Sequence, residues 1–149
     1  MVEARTLEKQ PSFADSMLEF KDRFTQSIDP TECFSLKFNR EGSYLAMSFQ
    51  DGSLHIVSPM LGDKLYHIKD DKMVHPITRL CWKPIVARED DHTTPYQQLY
   101  GSCVDGSVIV WDHNKPLEVE HRSFNPANQY MSVDIANDGR KIALAGKLN

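Results

Sequence analysis

The stretch that decides the fold runs from Leu99 to Asp112 and reads LYGSCVDGSVIVWD. Two apolar runs, rich in β-branched and aromatic residues, flank the dipeptide Asp105-Gly106. This dipeptide favours a tight β-hairpin, because glycine tolerates the positive φ that such a turn requires. The second run closes on Trp111-Asp112. The stretch therefore predicts two antiparallel strands joined at the Asp-Gly turn.

The same hairpin pattern occurs earlier in the chain. Residues 44–57 read YLAMSFQDGSLHIV, and their Asp51-Gly52 lies 54 positions before Asp105-Gly106. An apolar strand also precedes each hairpin, since residues 34–38 match residues 78–82 at a spacing of 44 positions. The two spacings differ by 10 positions. This difference indicates an insertion between the first and second strands of the later copy.

A third and shorter copy follows in residues 130–149. It stays in register with the first copy, because 97 positions separate both Phe38 from Ile135 and Gly42 from Gly139. Two landmarks in one register indicate a repeat rather than chance. Repeated short strands with turns at regular spacing are typical of architectures in which each unit packs on the next.

These repeats resemble those of WD-repeat β-propeller proteins, whose blades are four-stranded sheets. The resemblance covers residues 23–149 and implies an all-β fold, a partial and incomplete propeller formed by about two and a half divergent repeats. It implies that this is the N-terminal part of a propeller. Its motif residues, interpreted as structural turn and blade positions, are Asp51, Gly52, Asp105, Gly106, Trp111 and Asp112. The expected blades span residues 32–68, 77–121 and a truncated third at 130–149, within a propeller segment at 30–149.

The match to the family pattern is partial. In the family, the turn aspartate joins a serine, a tryptophan and a histidine in a hydrogen-bonded set that stiffens each blade. Trp111 is present in the second repeat, whereas other positions differ. The resemblance therefore supports the fold more strongly than it supports this hydrogen-bonded network. The departures are Val57 for the tryptophan, Met47 and Gly101 for the serine, and Lys72 or Met73 near the histidine position.

The N-terminal residues precede the repeats. Residues 1–11 are polar and charged, and we expect them to be disordered. Residues 12–29 are interpreted as an amphipathic helix over 13–22, a short helical extension, followed by a lead-in strand over 23–28. The helical reading rests on apolar residues spaced by four, three and four, and the competing reading is a strand, because polar and apolar residues alternate from Arg23 onward. The apolar residues are Phe13, Met17, Phe20 and Phe24.

The composition of the chain argues against nucleic-acid and membrane partners. The chain has 149 residues, 17 basic and 21 acidic, so its net charge of −4 offers no basic excess for nucleic acid. No apolar run reaches the roughly 20 residues of a membrane span, and no signal peptide is recognisable, so we expect no membrane partner. Three cysteines without framework spacing indicate a reducing compartment. We therefore expect a cytoplasmic protein.

Motifs for catalysis or metal binding are weak. The turn aspartates are interpreted as turn formers, because Asp side chains bond the backbone amides of such turns. His92 follows Glu89, Asp90 and Asp91, but adjacent residues on a loop rarely give a metal the geometry it needs. We expect no metal, no cofactor and no enzyme. The alternative, an enzyme with a site in the propeller channel, would use polar residues of the inner strands, namely Ser35, Lys37, Arg79, Ser132 and Asp134.

The leading prediction is a non-catalytic protein–protein interaction scaffold, a WD-repeat fragment of a multiprotein assembly. Its contact surfaces are expected at the connection over residues 70–76, at the inserted loop over 85–97 and on the apolar face of the N-terminal helix. Open blade edges could also pair with another copy of the chain. A further alternative is a truncated gene product with no independent function. The candidate interaction residues are Phe13, Met17, Phe20, His75, Glu89, Asp90 and Asp91.

Overall fold

The structure, a computed structural model, describes residues 2–9, 18–26, 31–85 and 97–148. Every regular element in these ranges is a β-strand, and neighbouring strands pair antiparallel. The all-β class predicted from the sequence is therefore confirmed. The chain divides into two compact units, residues 1–31 and 32–149, and each is described separately.

The first unit contains a β-hairpin. Strand β1 (Val2–Lys9) pairs with β2 (Leu18–Gln26), and a bulge interrupts the register between Ala4 and Arg5. The predicted helix over 13–22 is wrong where it can be compared, since residues 18–22 form part of β2, while residues 13–17 lie outside the described residues. The expected disorder of residues 1–11 also differs from the strand at Val2–Lys9. Pairing bonds the facing backbone groups of these two segments to each other, and this pairing outweighs the helical spacing of apolar residues.

Four strands form the first sheet of the second unit. They are β3 (Cys33–Phe38), β4 (Leu45–Phe49), β5 (Leu54–Ser58) and β6 (Asp63–Ile68), and they pair in chain order. The turn at Asp51-Gly52 joins β4 to β5, as the sequence predicts, and Leu54 lies opposite Ser48. Strand β4 is buried at every position, so the middle of this sheet has no solvent-facing side.

The second sheet repeats this arrangement. It contains β7 (Ile77–Trp82), β8 (Gln98–Cys103), β9 (Ser107–Asp112) and β10 (Val119–Ser123), again paired in chain order. The hairpin predicted at Asp105-Gly106 is confirmed, with Gln98 opposite Asp112. A third sheet has two strands, β11 (Asn128–Ile135) and β12 (Ile142–Leu148).

The core lies between the first and second sheets, and the first strand of each sheet lies beside the first strand of the next. Thr78 Oγ1 of β7 donates a hydrogen bond to the Tyr130 carbonyl of β11 at 2.9 Å, which ties the second sheet to the third. Burial of each large apolar side chain stabilises the fold by about 1.5 to 3 kcal/mol. The buried cluster consists of Ala46, Leu54, Ile56, Ile68, Met73, Ile77, Leu80, Leu99, Cys103, Ile109 and Trp111.

Candidate functional site

The Asp-Gly turn of the second sheet is held by its aspartate. Asp105 Oδ1 accepts hydrogen bonds from the Ser107 backbone amide at 3.0 Å and from Ser107 Oγ at 2.5 Å. His121 reaches the same group from β10, with its Nε2 3.1 Å from Ser107 Oγ and 3.8 Å from Asp105 Oδ2. Two side chains, Asp105 from the turn and His121 from the neighbouring strand, therefore converge on the Ser107 hydroxyl.

This serine, histidine and aspartate do not have the arrangement of a hydrolase triad. A triad places the histidine between the serine and the carboxylate, with one ring nitrogen on each. Here the same nitrogen, Nε2 of His121, faces both Ser107 and Asp105, and the serine hydroxyl donates to the carboxylate. Ser107 is also only 1% exposed, so a substrate has no access to its hydroxyl. The set stiffens the turn and is not a catalytic site.

The first sheet has a related turn with a different third member. Asp51 Oδ1 accepts hydrogen bonds from the Ser53 amide at 2.9 Å and from Ser53 Oγ at 2.6 Å. Lys69 takes the place of the histidine, with its Nζ 3.9 Å from Asp51 Oδ2 and donating to the Met73 carbonyl at 2.7 Å. Partial burial raises the pKa of Asp51, but the Ser53 hydrogen bonds and the Lys69 charge outweigh it, so the net pKa is lowered.

Both turns require glycine because another segment lies directly on them. Gly52 has φ +84°, and a methyl group there would lie 2.3 Å from the Met73 carbonyl oxygen. Gly106 has φ +79°, and a methyl group there would lie 1.9 Å from the Asn125 carbonyl oxygen. The connection after β6 therefore packs against the first turn, and the connection after β10 packs against the second. His75, a predicted interaction residue, is exposed on the first of these connections.

Trp111 fills the core at the opposite end of β9. Its indole is fully buried, its Nε1 donates to the Pro116 carbonyl at 3.0 Å, and its ring meets those of Trp82 and Tyr66 with centroids 6.0 Å apart. The next residue, Asp112, accepts a hydrogen bond from the Asn114 amide at 2.8 Å. Both residues hold the connection from β9 to β10.

A buried asparagine, Asn39, is not among the residues that the sequence predicts for a site. Asn39 Nδ2 donates to Gln97 Oε1 and to Ser43 Oγ, both at 2.9 Å, and its Oδ1 accepts from the Tyr44 amide at 2.9 Å. These bonds tie the turn after β3 to the start of β8. Asparagine in a turn is too common for the sequence to mark this one.

An apolar row on β3 is the most prominent candidate interaction surface. Leu36 and Phe38 lie on one face of the strand, because alternate residues share a face, and Phe34 precedes them at the bulge that interrupts the pairing with β4 between Cys33 and Ser35. The side chains of Phe34, Leu36 and Phe38 are 42%, 48% and 53% exposed, which is high for three large apolar side chains of one strand. We call them the β3 row. The sequence predicts an apolar strand over residues 34–38, and these three residues are not among the interaction residues that it predicts.

Of the predicted interaction residues other than His75, the structure describes only Phe20. Phe20 lies in β2 opposite Leu7. Phe13, Met17, Glu89, Asp90 and Asp91 lie outside the described residues, as do His92 and most of the inserted loop.

Two of the five polar residues of the inner strands, Ser35 and Asp134, bond to other parts of the fold. Ser35 Oγ accepts a hydrogen bond from the Leu80 amide at 3.2 Å, and Cys81 Sγ donates to Asp134 Oδ1 at 3.6 Å. Lys37, Arg79 and Ser132 are exposed. Within the ranges that the structure covers, no three His, Cys, Asp or Glu side chains are grouped so that they could hold a metal ion.

All three cysteines are unpaired. Burial raises the pKa of the Cys103 thiol to about 12, and burial also raises the pKa of Cys33 and Cys81. A thiol reacts through its thiolate, so these raised values disfavour a nucleophilic role.

Comparison with known proteins does not place the chain in a family. Neither the models of known protein families nor the curated protein sequences give a match. The resemblance to WD-repeat proteins therefore stays a prediction from the repeat pattern. In the part of the chain that the structure describes, no helix has the length and apolar character needed to cross a membrane.

Proposed function

We propose that this chain is a segment of a WD-repeat β-propeller that acts as a non-catalytic scaffold for protein–protein interaction. Two consecutive four-stranded sheets, each with an Asp-Gly-Ser turn between its second and third strands, support the propeller assignment. Their first strands lie side by side, as they do around a propeller axis. The three unpaired thiols support a reducing compartment such as the cytoplasm.

The observation that carries this proposal is the contrast between equivalent apolar positions. Leu80 on β7 belongs to the core shared by the first and second sheets and is 1% exposed, while Leu36, 44 positions earlier on β3, is 48% exposed. A face of this kind is therefore covered when another sheet precedes it. The β3 row is the surface on which a further sheet would pack, and the connections on the turns offer contacts to other partners.

Molar mass by light scattering, with circular dichroism, tests the proposal. We expect the 149-residue chain to associate through the β3 row as a β-rich species. Leu36→Glu should shift the mass toward the monomer and keep the β spectrum, because a charge cannot be buried there without a partner. Met60→Glu, an equally apolar-to-acidic change at an exposed turn position, is the matched control and should not alter the mass.

A monomer at every concentration, with the same mass for Leu36→Glu, would contradict the proposed packing surface. A β-rich protein that loses its spectrum in Leu36→Glu but not in Met60→Glu would place Leu36 in the fold of the single chain instead. Either result separates an assembling scaffold from an isolated domain.

A further inference from the structure

Three Asp-Gly dipeptides occupy tight turns of the second unit. Asp51-Gly52 and Asp105-Gly106 each join the second and third strands of a sheet, whereas Asp138-Gly139 joins β11 to β12. The three glycines have positive φ values of +84°, +79° and +67°, in chain order. Each glycine amide donates a hydrogen bond to the carbonyl three residues earlier. The chain therefore presents the same dipeptide three times in a similar backbone turn.

An Asp-Gly dipeptide can rearrange with water as the only reagent. When the glycine amide nitrogen attacks the side-chain carboxyl carbon of the aspartate, a new C–N bond closes a five-membered succinimide ring. The carboxyl hydroxyl and the amide proton leave together as water. Water then opens the ring at one of its two carbonyls. Opening at the side-chain carbonyl restores aspartate, and opening at the main-chain carbonyl leaves isoaspartate. Glycine favours the attack because no side chain hinders its amide.

The first two turns are held closed by their own serine and by a neighbouring segment. Asp51 and Asp105 each accept two hydrogen bonds from the serine two residues later, through its amide and its hydroxyl. Lys69 also donates to the Asp51 carbonyl, and two amides of the connection after β10 donate to the Gly106 carbonyl at 3.1 and 3.3 Å. The glycines of both turns are buried. Attack on the carboxyl therefore requires these contacts to open first.

The third turn is held more loosely. Asp138 accepts one hydrogen bond, from the Arg140 amide at 2.9 Å, because an arginine stands where the first two turns have a serine. Among the described residues, no hydrogen bond joins residues 137–140 to another segment. A methyl group at Gly139 would lie 3.3 Å from Lys83 Cε, which belongs to a flexible side chain rather than to a backbone. Asp138 is exposed and Gly139 is half-buried.

The openness of this turn agrees with its place in the repeat. Gly42, 97 positions before Gly139, lies in the equivalent turn after β3, and a complete sheet follows the sheet that contains it. Glu41 and Gly42 are both exposed, and a methyl group at Gly42 would meet nothing within 4 Å. A turn between the first and second strands is therefore open even where a further sheet follows. The two turns between second and third strands are instead covered by the connection to the next sheet.

We propose that Asp138 is a site of spontaneous covalent modification, at which the Asp138-Gly139 turn converts to isoaspartate through a succinimide. Asp51 and Asp105 are protected from the same reaction by the contacts of their turns. The product keeps the mass of the chain, lengthens the main chain between β11 and β12 by one methylene group, and carries the α-carboxylate as a side group. This modification does not depend on the scaffold function.

Incubation of the full chain in heavy-oxygen water, at neutral pH and physiological temperature, tests the proposal because each ring opening leaves a heavy oxygen in the residue. The three turns fall in different tryptic peptides, so mass spectrometry measures each rate separately. The same chain unfolded in urea gives the intrinsic rate of each dipeptide. After division by that intrinsic rate, we expect Asp138 to react at least about tenfold faster than Asp51 or Asp105. Endoproteinase Asp-N, which cleaves before aspartate but not before isoaspartate, identifies the product.

Gly139→Asn tests the chemistry of the turn. Asparagine is among the residues with a side chain that best tolerate a positive φ, so the turn should be retained. Its side chain hinders the close approach that the attack needs, and the Asp138 rate should fall about tenfold or more. Gly42→Asn, the same change at the equivalent turn, is the matched control and should leave the Asp138 rate unchanged. Circular dichroism checks both folds, and if Gly139→Asn is unfolded, the three rates of the parent chain decide the result alone.

Three results would overturn the proposal. Equal normalised rates at the three turns of the folded chain would show that the serine bonds and the packed segments give no protection. A faster reaction at Asp51 or Asp105 than at Asp138 would assign the modification to a covered turn. An unchanged Asp138 rate in folded Gly139→Asn would exclude the succinimide route.

Discussion

Strands β3 and β7 carry the same apolar pattern but end in opposite environments. Leu36 and Leu80 occupy equivalent positions of their repeats, yet Leu36 is half exposed and Leu80 is buried. The pattern alone fixes which residues share a face. The presence of a preceding sheet fixes whether that face is buried.

The contacts of β7 show what covers such a face. The Leu80 amide donates to Ser35 Oγ at 3.2 Å, and Trp82 Nε1 donates to the Lys37 carbonyl at 3.0 Å, both across to β3. Val133 on β11, again at the equivalent position, is 4% exposed, and β11 lies beside β7 and β8. Each first strand is therefore covered by the sheet before it. Strand β3 differs because no sheet in the described part of the second unit precedes it.

The largest expected effect is a direct test of this comparison. Leu80→Ala should lower the free energy of unfolding by about 2 to 5 kcal/mol, because it removes buried methyl groups and leaves a cavity. Leu36→Ala, the same change at the equivalent exposed position, should cost only about 0.5 kcal/mol. Urea unfolding followed by circular dichroism measures both, at a protein concentration where the chain is monomeric.

The proposed difference between β3 and β7 is wrong if Leu36→Ala lowers the free energy of unfolding of the monomer as much as Leu80→Ala does. The β3 row would then be covered within the single chain. If the cost of Leu36→Ala instead grows with protein concentration, another copy supplies the cover.

His55 on β5 occupies the position in the first sheet that Ile109 on β9 occupies in the second. His55 is 2% exposed, its ring packs 4.6 Å from that of Phe49 and 4.4 Å from that of His67, and its Nδ1 has no hydrogen-bond partner among the described residues. Burial lowers the pKa of His55 from 6.5 to about 4, with help from the Lys64 and His67 charges and against the opposing effect of Asp51.

A histidine with a lowered folded-state pKa is held neutral in the native protein and gains its proton on unfolding. Stability is therefore complete above pH 6.5 and falls as the pH drops from 6.5 toward 4. The loss from this residue is at most about 3 kcal/mol. His55→Ile, which installs the residue of the second sheet, should flatten this part of the pH profile of unfolding.

His75→Gln, at an exposed histidine, is the control for the pH series and should keep the slope of the parent protein. An unchanged slope in His55→Ile would show that His55 titrates normally in the native state. Its environment would then resemble the exposed β3 row rather than the core around Ile109.

Local features of the fold could be predicted from the sequence. Both Asp-Gly hairpins were found because the turn residues and the alternation of side chains lie within about a dozen positions. The segment 18–26 was assigned wrongly in part, because the helical spacing of Phe20 and Phe24 is also local. The strand that pairs with it, Val2–Lys9, ends nine positions before β2 begins, and no Asp-Gly dipeptide marks the connection between them.

Site residues whose partners lie far away in sequence could not be predicted. Asp51 and Asp105 were found through their turns, whereas the side chains that complete each set, Lys69 and His121, come 18 and 16 positions later from other elements. Asn39 and Gln97 are 58 positions apart. Exposure of the β3 row depends on whether a neighbouring sheet covers it. The sequence of the strand itself does not indicate whether such a sheet is present.

The smallest expected difference lies between the two turn aspartates. Asp51→Ala should cost about 2 kcal/mol, since the buried Ser53 hydroxyl and amide lose their acceptor and the hydroxyl has no other partner among the described residues. Asp105→Ala should cost about 1 kcal/mol, because the Ser107 hydroxyl can turn to His121 Nε2, already 3.1 Å away. Urea unfolding at pH 7 measures both variants.

A double-mutant cycle shows whether His121 is the reason for this difference. In Asp105→Ala/His121→Ala the Ser107 hydroxyl loses both partners, so the cost should exceed the sum of the single changes by about 1 kcal/mol. Asp51→Ala/Lys69→Ala should show no such excess, because Lys69 contacts the aspartate and backbone carbonyls but not the Ser53 hydroxyl. Additive costs in the first cycle would mean that His121 does not replace the lost carboxylate. The two turns would then be energetically equivalent, despite their different third members.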